Sequence, residues 1–203
     1  MTSTGQINSI DILIGKSILS RSTANKLGQI HDLIVDPVKG ELSGLAVQMP
    51  DASLRLVDYR EIYSFGPDAV MINSDESAMP ALDSPLKALP LAKNNLIGVK
   101  VITESGKLLG QIASVYIHLA ETSLLVYEVR SSLLDKLLGH SLYFPASQGC
   151  ALSEGDARLV VTDDTAEKAD NTLDALEARL FGPPKEEDPL VIVRTRGHKH
   201  LNR

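Results

Sequence analysis

The sequence contains few of the residues that build stacking surfaces, redox centres or cysteine-based metal sites. It has three Phe, five Tyr and no Trp among 203 residues, whereas surfaces that stack nucleic-acid bases or enclose ammonium groups need exposed aromatic rings. Cys150 is the only cysteine, so the chain has no internal disulfide and no Cys-x-x-Cys pair. This composition argues against base stacking and against thiol redox chemistry.

Positive charge and long apolar runs are also scarce. The formal charge is −6 and the pI is near 5.3, which disfavours strong nucleic-acid binding because phosphate contacts depend on clustered Lys and Arg. No apolar run approaches the roughly 20 residues that cross a bilayer, and the first residues do not resemble a signal peptide. We expect a cytoplasmic protein, peripheral to a membrane complex at most.

What the sequence does contain is an internal repeat. Residues 14–18 read Ile-Gly-Lys-Ser-Ile and residues 27–30 read Leu-Gly-Gln-Ile; residues 97–101 read Ile-Gly-Val-Lys-Val and residues 109–112 again read Leu-Gly-Gln-Ile. Strand-like segments and turns follow in both copies, and both end on a short apolar run after Asp-Ala. A repeat of this length indicates two copies of one structural unit.

Each copy has the pattern of a small β domain. In the first copy, strands are predicted over 10–19, 27–36, 41–49, 54–57 and 69–72, separated by polar turns rich in Gly and Pro. Short strands at this spacing are typical of antiparallel barrels and sandwiches. Gly28 and Gly110 lie just inside a strand in each copy, where a glycine permits a bulge or a sharp bend.

The remaining segments predict a linker, a helix and a tail. Prolines at 80, 85 and 90 exclude a strand or a long helix between the copies and permit only a short turn after Ser84. Leucines within 131–139 predict a helical insertion in the second copy. A capping-box pattern at Asp164 and Glu167 begins a helix that ends at Phe181, with Ala169, Leu173, Leu176 and Leu180 on one face. That face fits either the second barrel or a homodimer partner.

We therefore predict a mainly β chain of two tandem small antiparallel β-barrels with a C-terminal helix and an extended tail. The boundaries are a first barrel at 8–74, a Pro-containing linker at 75–95, a second barrel at 96–163, a C-terminal helix at 164–182 and an extended tail at 183–203.

The repeated Ile-Gly and Leu-Gly-Gln-Ile segments, followed in the first copy by Leu-Ser-Gly-Leu-Ala-Val at 42–47, resemble the PRC-barrel. That module is named after the cytoplasmic domain of the H subunit of photosynthetic reaction centres, and a related module forms the C-terminal domain of a ribosome-maturation factor. The resemblance covers about 12–73 and 96–162, and the second copy departs from it by its insertion. It implies a protein-docking barrel and carries over no catalytic residues.

The sequence offers no pattern that predicts catalysis. Gly15-Lys16-Ser17 lacks the earlier glycine of a phosphate-binding loop, since position 10 is Ile. The histidines lack the spacing that places two metal ligands on one helix face, and no Gly-x-Ser-x-Gly elbow is present. We predict a non-enzymatic protein with no cofactor and no metal.

The tail carries the strongest interaction signal. Leu190, Val191, Ile192 and Val193 form a β-prone run, and the segment from Arg194 and Arg196 to Arg203 contains basic residues and no acid. Such a run fits an exposed sheet edge, either its own or that of a partner. We predict partner binding by Leu190, Val191, Ile192, Val193, Arg194 and Arg196, in an adaptor or assembly factor of a protein complex, with photosynthetic or ribosomal assemblies as candidates. The alternative is an RNA-associated protein of the ribosome-maturation type.

Overall fold

The computed structural model describes residues 7–119, 124–131, 141–146, 151–153, 158–182 and 192–193. They form two β-sheets, one for each repeat, with short helices between and after them. The strands that lead into and build the first repeat are β1 (Ile7–Ser9), β2 (Ser17–Ser20), β3 (Lys26–Asp36), β4 (Glu41–Gln48), β5 (Leu54–Asp58), β6 (Ile62–Phe65), β7 (Ala69–Ile72) and β8 (Ala78–Pro80). The strands that follow are β9 (Lys100–Thr103), β10 (Leu108–His118), β11 (Leu125–Arg130), β12 (Leu142–Pro145), β13 (Ala151–Leu152), β14 (Arg158–Val161) and β15 (Ile192–Val193).

The duplication seen in the sequence is confirmed by the strand order. The first sheet runs β15-β6-β7-β2-β3-β4-β5-β8, and the second runs β12-β11-β10-β9-β14-β13, with β1 added to β10. Six strands of each sheet therefore follow the same order, β6-β7-β2-β3-β4-β5 in the first module and β13-β14-β9-β10-β11-β12 in the second. We refer to these as module 1 and module 2.

The two repeated glycines mark a bulge in each module, as predicted. The pairing of β2 with β3 shifts register next to Gly28, and the pairing of β9 with β10 shifts next to Gly110. A Cβ at position 28 would collide with the Gln48 carbonyl oxygen, and one at position 110 with the Arg130 carbonyl oxygen. Gly110 also has a φ of +148°, which L side chains rarely adopt. Glycine is needed at both sites because another strand passes against its backbone.

The prediction of a mainly β chain with two tandem β modules is confirmed, but the sheets differ from the predicted small antiparallel barrels in two respects. Each module contains one parallel pair, β2 with β7 and β9 with β14, and neither sheet closes on itself within the described residues. The physical reason lies in the core, where one continuous apolar cluster includes residues of both modules, such as Leu45 and Val70 from module 1 and Tyr127 and Phe144 from module 2. The apolar residues of each sheet therefore pack in one core with those of the other module.

The two modules also exchange their lead-in segments. β1, which precedes module 1, pairs with β10 of module 2, with Ile7 opposite His118. The segment that precedes module 2 makes the reciprocal contact, because Leu91 forms a bridge with Ile34 of β3 and the Val35 amide donates to the Pro90 carbonyl at 3.1 Å. The two repeats are thus tied together by backbone hydrogen bonds in both directions.

The segment predicted as a linker contains more regular structure than expected. β8 pairs with β5, although the prolines were expected to exclude a strand. Proline is tolerated because β8 is an edge strand and Pro80 is its last residue. The predicted short turn after Ser84 is confirmed, since a 3₁₀ helix spans Pro85–Ala88 and the Ser84 hydroxyl accepts from the Leu86 amide.

The remaining short helices lie in the segments that connect the strands. They are 3₁₀ helices at Ile10–Ile12, Tyr59–Glu61 and Asp75–Ser77 and a π-helix at Ala92–Leu96. The strand predicted from residue 10 to 19 is therefore a helical turn followed by β2, because Ile10 and Leu13 enter the core from the turn. The buried Asp32 carboxylate accepts from the amides of Lys93 and Asn94 at 3.0 and 3.1 Å, which fixes the π-helix against β3.

The single C-terminal helix predicted over Asp164 to Phe181 is two helices, α1 (Asp163–Glu167) and α2 (Leu173–Phe181). Asp170 leaves helical geometry because its backbone N–H and C=O both bond to Tyr143 of β12, at 2.9 and 2.7 Å. The Thr172 hydroxyl then caps a new helix by accepting from the Ala175 amide.

The predicted apolar helix face packs within the chain. Leu173, Leu176 and Leu180 contact Ile7 and Val126 in one cluster, and Ala169 packs against the main core. The predicted insertion at 131–139 lies outside the described residues except for Ser131, and the tail lies outside them except for β15.

Candidate functional site

The edge of module 1 at β6 holds a strand from the predicted partner-binding segment. β15 pairs antiparallel with β6, with Ile192 opposite Phe65 and Val193 opposite Ser64. Leu190, Val191, Arg194 and Arg196, the other predicted binding residues, lie outside the described residues. The β6 edge thus accepts an extended strand through backbone pairing, the interaction by which exposed sheet edges bind peptides.

Side chains around β6 fix this edge in place. The Lys16 ammonium donates to the Gly66 carbonyl at 3.0 Å, just after the strand ends. The Arg21 guanidinium lies over the Tyr63 ring at 4.3 Å from its centroid, and the rings of Tyr59 and Phe65 lie 6.5 Å apart. Cation–π and ring contacts of this kind stabilise partly exposed aromatic residues. The edge is therefore held in place by its neighbours on several sides.

The equivalent edge of module 2 is formed by β13. β13 has two residues and pairs with β14, where Ala151 lies opposite Val160. Among the described residues no strand lies on its other side. Within the described residues, the two modules therefore share a strand order, and a further strand pairs only with the edge of module 1.

A polar cleft lies near the start of β6, between β5, β8 and the helical turns. It is lined by Leu56, Asp58, Arg60, Glu61, Ser74, Glu76, Ser77, Met79, Ser84 and Pro85. The charged groups among these described residues are three carboxylates and one guanidinium. The guanidinium binds one of the carboxylates, because Arg60 Nε and Nη2 donate to Asp58 at 2.9 and 2.7 Å. The cleft is therefore acidic.

Hydrogen bonds position the carboxylates of the cleft. The Glu61 carboxylate accepts from the side-chain amide of Asn73 at 3.0 Å and from the Ser77 hydroxyl at 2.9 Å. The hydrogen bond from Arg60, the largest cause, lowers the pKa of Asp58 together with the neighbouring guanidinium charge, against the opposing effect of burial. Backbone and Ser74 hydrogen bonds lower the pKa of Glu76. These two groups stay charged at neutral pH.

Module 2 contains a buried polar cluster on its outer face. Glu128, whose side chain is 2% exposed, accepts from Arg130 Nη2 at 2.6 Å and from Arg130 Nε at 2.8 Å. It also accepts from the hydroxyls of Ser141 at 2.8 Å and Tyr116 at 3.1 Å. The Tyr143 ring meets the Tyr116 ring edge-on at 6.1 Å. Each buried carboxylate oxygen of Glu128 therefore has a donor.

The pKa values of this cluster are displaced away from neutrality. Burial acts to raise the pKa of Glu128, but the hydrogen bonds from Ser141, Arg130 and Tyr116 outweigh it, so the pKa is lowered. Burial, followed by the Glu128 charge, raises the pKa of Tyr116 to about 12 and also raises that of Tyr143. A general acid or base works best with a pKa near the operating pH. The arrangement fits a fixed polar network better than proton transfer.

Sequence reasoning missed both the cleft and the polar cluster. An alignment of the two repeats gives a signal for the cluster, because it places the acidic Glu128 at the position of Ala46. In the structure, Glu128 lies opposite Ser114 and Ala46 lies opposite Asp32. The cleft has no such signal, since its lining residues come from five separate elements and the turns between them.

Two observations bear on the predictions that the chain binds no metal and has no membrane-spanning segment. The described part of the chain contains no cluster of three or more His, Cys, Asp or Glu side chains arranged to hold a metal ion. Within the same residues, no helix combines the length and the apolar character that crossing a bilayer requires.

Comparison with known proteins agrees with this architecture. No curated protein matches the sequence closely enough to be informative. A family model described as the PRC-barrel domain matches the chain twice, over residues 7–79 and 91–168. The two matches correspond to the two modules and together cover more than half of the chain. The chain therefore belongs to the PRC-barrel domain family and carries two copies of the domain in tandem.

Proposed function

We propose that this protein is a non-enzymatic adaptor or assembly factor that docks onto a larger protein complex. The proposed contact is the β6 edge of module 1 together with residues 190–196. The pairing of β15 with β6 is the observation that carries the proposal, because it places an extended segment on this edge. The proposal includes a cytoplasmic location, at the surface of a membrane complex where the partner is photosynthetic.

Two further observations support this class of function. PRC-barrel membership fits a protein-interaction or assembly role. In the polar cluster of module 2, the pKa of Glu128 is lowered and that of Tyr116 is raised, both away from neutrality, which does not favour acid–base catalysis by these two groups.

The test is an affinity capture from the native organism with three forms of the chain, read by mass spectrometry. The forms are the full chain, a chain ending at Phe181 and a chain ending at Val193, which keeps β15 and removes only the basic segment. We expect one large complex to be enriched by the full chain and lost from the chain ending at Phe181. The identity of the enriched subunits distinguishes photosynthetic from ribosomal assemblies.

The chain ending at Val193 separates the proposed function from its RNA-binding alternative. Protein docking through the edge predicts that the chain ending at Val193, which keeps Leu190 to Val193 but lacks Arg194 and Arg196, still captures the complex in 0.5 M salt, although in smaller amount than the full chain. Binding to RNA through the basic segment predicts loss with that truncation and steep weakening with salt, because phosphate contacts release counterions. Capture of no complex by the full chain would contradict the proposal.

A further inference from the structure

We propose that the acidic cleft of module 1 is the intramolecular docking site of the chain's own basic segment, Arg194 to Arg203. The cleft lies at the beginning of β6, and the basic segment follows β15 directly in the sequence. Docking there would hold the segment on module 1 until a more strongly anionic partner competes for it. The contact itself requires no partner, whereas its regulatory role rests on the proposed function.

Charge complementarity is the first argument. Among the residues that the structure describes, the cleft presents Asp58, Glu61 and Glu76 against the one cation of Arg60, which binds Asp58. The segment from 194 to 203 contains Arg194, Arg196, Lys199 and Arg203 and no acidic residue. Opposite charges in a partly desolvated cleft attract more strongly than on open surface, because the local dielectric constant is lower.

Strand direction is the second argument. β15 is antiparallel to β6, and the pairs run from Ile192 with Phe65 to Val193 with Ser64. The direction of β15 thus points toward the Ile62 end of β6, and Glu61 immediately precedes Ile62 in the sequence. The ten residues after Val193 can span at most about 33 Å when fully extended. The cleft therefore lies in the direction that β15 sets.

The lining of the cleft also suits long cationic side chains. Leu56, Met79 and Pro85 provide apolar walls beside the carboxylates, and Met79 is 41% exposed. Arg and Lys bury their aliphatic stems against apolar surface while their charged ends remain near water or a carboxylate. Apolar walls beside carboxylates match both parts of such a side chain.

The test is zero-length cross-linking of the full chain with a carbodiimide, which joins a carboxylate and an amine as an amide while the carbodiimide takes up the water that is lost. Lys199 is the only lysine between Arg194 and Arg203, so its cross-linked peptides report where the segment lies. We expect them to concentrate on Asp58, Glu61 and Glu76 and to fall at least fivefold in 1 M salt, which shortens the screening length to about 3 Å.

Matched variants separate docking from chance reactivity. Glu61→Gln with Glu76→Gln keeps hydrogen-bonding groups but removes two charges, and we expect the remaining product at Asp58 to fall severalfold. Glu41→Gln with Glu104→Gln removes two exposed carboxylates elsewhere and should leave the product at Asp58 unchanged. Circular dichroism of each variant establishes that it is folded. Lys199→Arg should abolish the cross-links.

Cross-linking a mixture of ¹⁴N- and ¹⁵N-labelled chains shows whether the basic segment in the cleft belongs to the same chain or to a second copy. Cross-links confined to chains of one label support docking within the chain. Hybrid cross-links would overturn it in favour of a second copy, and products spread evenly over exposed carboxylates would overturn the site itself. The mixture contains no other partner, so failure here leaves the capture experiment on the β6 edge unaffected.

Discussion

The two modules have the same strand order, but their outer faces, the sheet faces turned away from the shared core, carry different side chains. In module 1 the outer face carries Ile34, Ala46 and Leu56, which pack under Leu86 of the connecting segment. Ala46 is fully buried and lies opposite Leu56 in the pairing of β4 with β5. Apart from Asp32, which lies opposite Ala46 and binds the amides of Lys93 and Asn94, apolar side chains are covered here by an apolar stretch of the same chain.

Module 2 places polar residues at the equivalent positions. Glu128 pairs with Tyr143 as Ala46 pairs with Leu56, and Tyr116 takes the place of Ile34. Helix α2 covers the neighbouring part of this face, where Leu176 is fully buried and the Phe181 ring stacks on His118 at 4.1 Å. The inner faces stay apolar because they share one core, while each outer face is matched only to the segment that covers it. The comparison shows that duplicated modules can diverge outside a common core.

Placing a carboxylate on the module 1 face is expected to have the largest effect. Ala46→Glu would bury a charge opposite the Asp32 carboxylate and among the apolar side chains of Ile34, Leu56 and Leu86, so we expect a loss of more than about 4 kcal/mol in the free energy of unfolding. Burial raises the pKa of the introduced acid, so the loss should be larger at pH 7 than at pH 4. Urea unfolding measures both, and Ala46→Gln controls for volume. Equal losses at the two pH values would mean that the site is not apolar.

Removing the acid from module 2 is expected to have the second largest effect. Glu128→Ala would leave Arg130, Ser141 and the Tyr116 hydroxyl without their acceptor, and we expect a loss of about 3 kcal/mol by urea unfolding. Arg130 is 43% exposed, so it can regain water, which places the expected loss at the lower end of the range for broken buried pairs. Glu104→Ala, an exposed carboxylate of the same module, should change stability by less than about 0.5 kcal/mol. A loss as small for Glu128→Ala would show that the cluster is not coupled.

The buried carboxylate of β3 provides a smaller test of how the modules are joined. Asp32→Asn replaces one acceptor by a donor, so the amide of Lys93 or Asn94 loses its partner, and we expect a loss of about 1–2 kcal/mol. Ser114→Ala, at the equivalent position of module 2, should cost less than about 1 kcal/mol. If thermal unfolding shows equal effects, Asp32 does not anchor the π-helix.

The smallest effect concerns a feature that the two modules share. Asp75 accepts from Thr23 at 2.6 Å and Asp163 accepts from Ser105 at 2.7 Å, and the two acids follow the equivalent strands β7 and β14. Hydroxyl hydrogen bonds lower the pKa of both acids.

The sign of the pH effect follows from those lowered pKa values. The stabilisation is complete above the unfolded pKa of about 3.9 and is lost as pH falls through the folded values. We expect Asp75→Asn with Asp163→Asn to reduce the fall in Tm between pH 5 and pH 2. An unchanged pH dependence would contradict this.

The repeat, the bulge glycines and most of the strands could be predicted because each depends on local sequence. Gly28 and Gly110 are needed by the backbone itself, and the alternation of apolar residues indicates strands whatever they pack against. The open sheets and the exchanged β1 could not be predicted, because they depend on how one module covers the other. The break between α1 and α2 was hidden for the same reason, since it arises from the pairing of Asp170 with Tyr143. The predicted residues 190–196 could be placed only at Ile192 and Val193.

The most direct test of the central claim is native-state hydrogen exchange on the full chain and on the chain ending at Phe181. If the β6 edge of module 1 is the strand-accepting edge, amides within Ile62–Phe65 should exchange at least tenfold faster after truncation, while those of Ala151 and Leu152 in β13 should not change. Unchanged exchange in β6, or an equal increase in both strands, would contradict the claim that module 1 presents the docking edge.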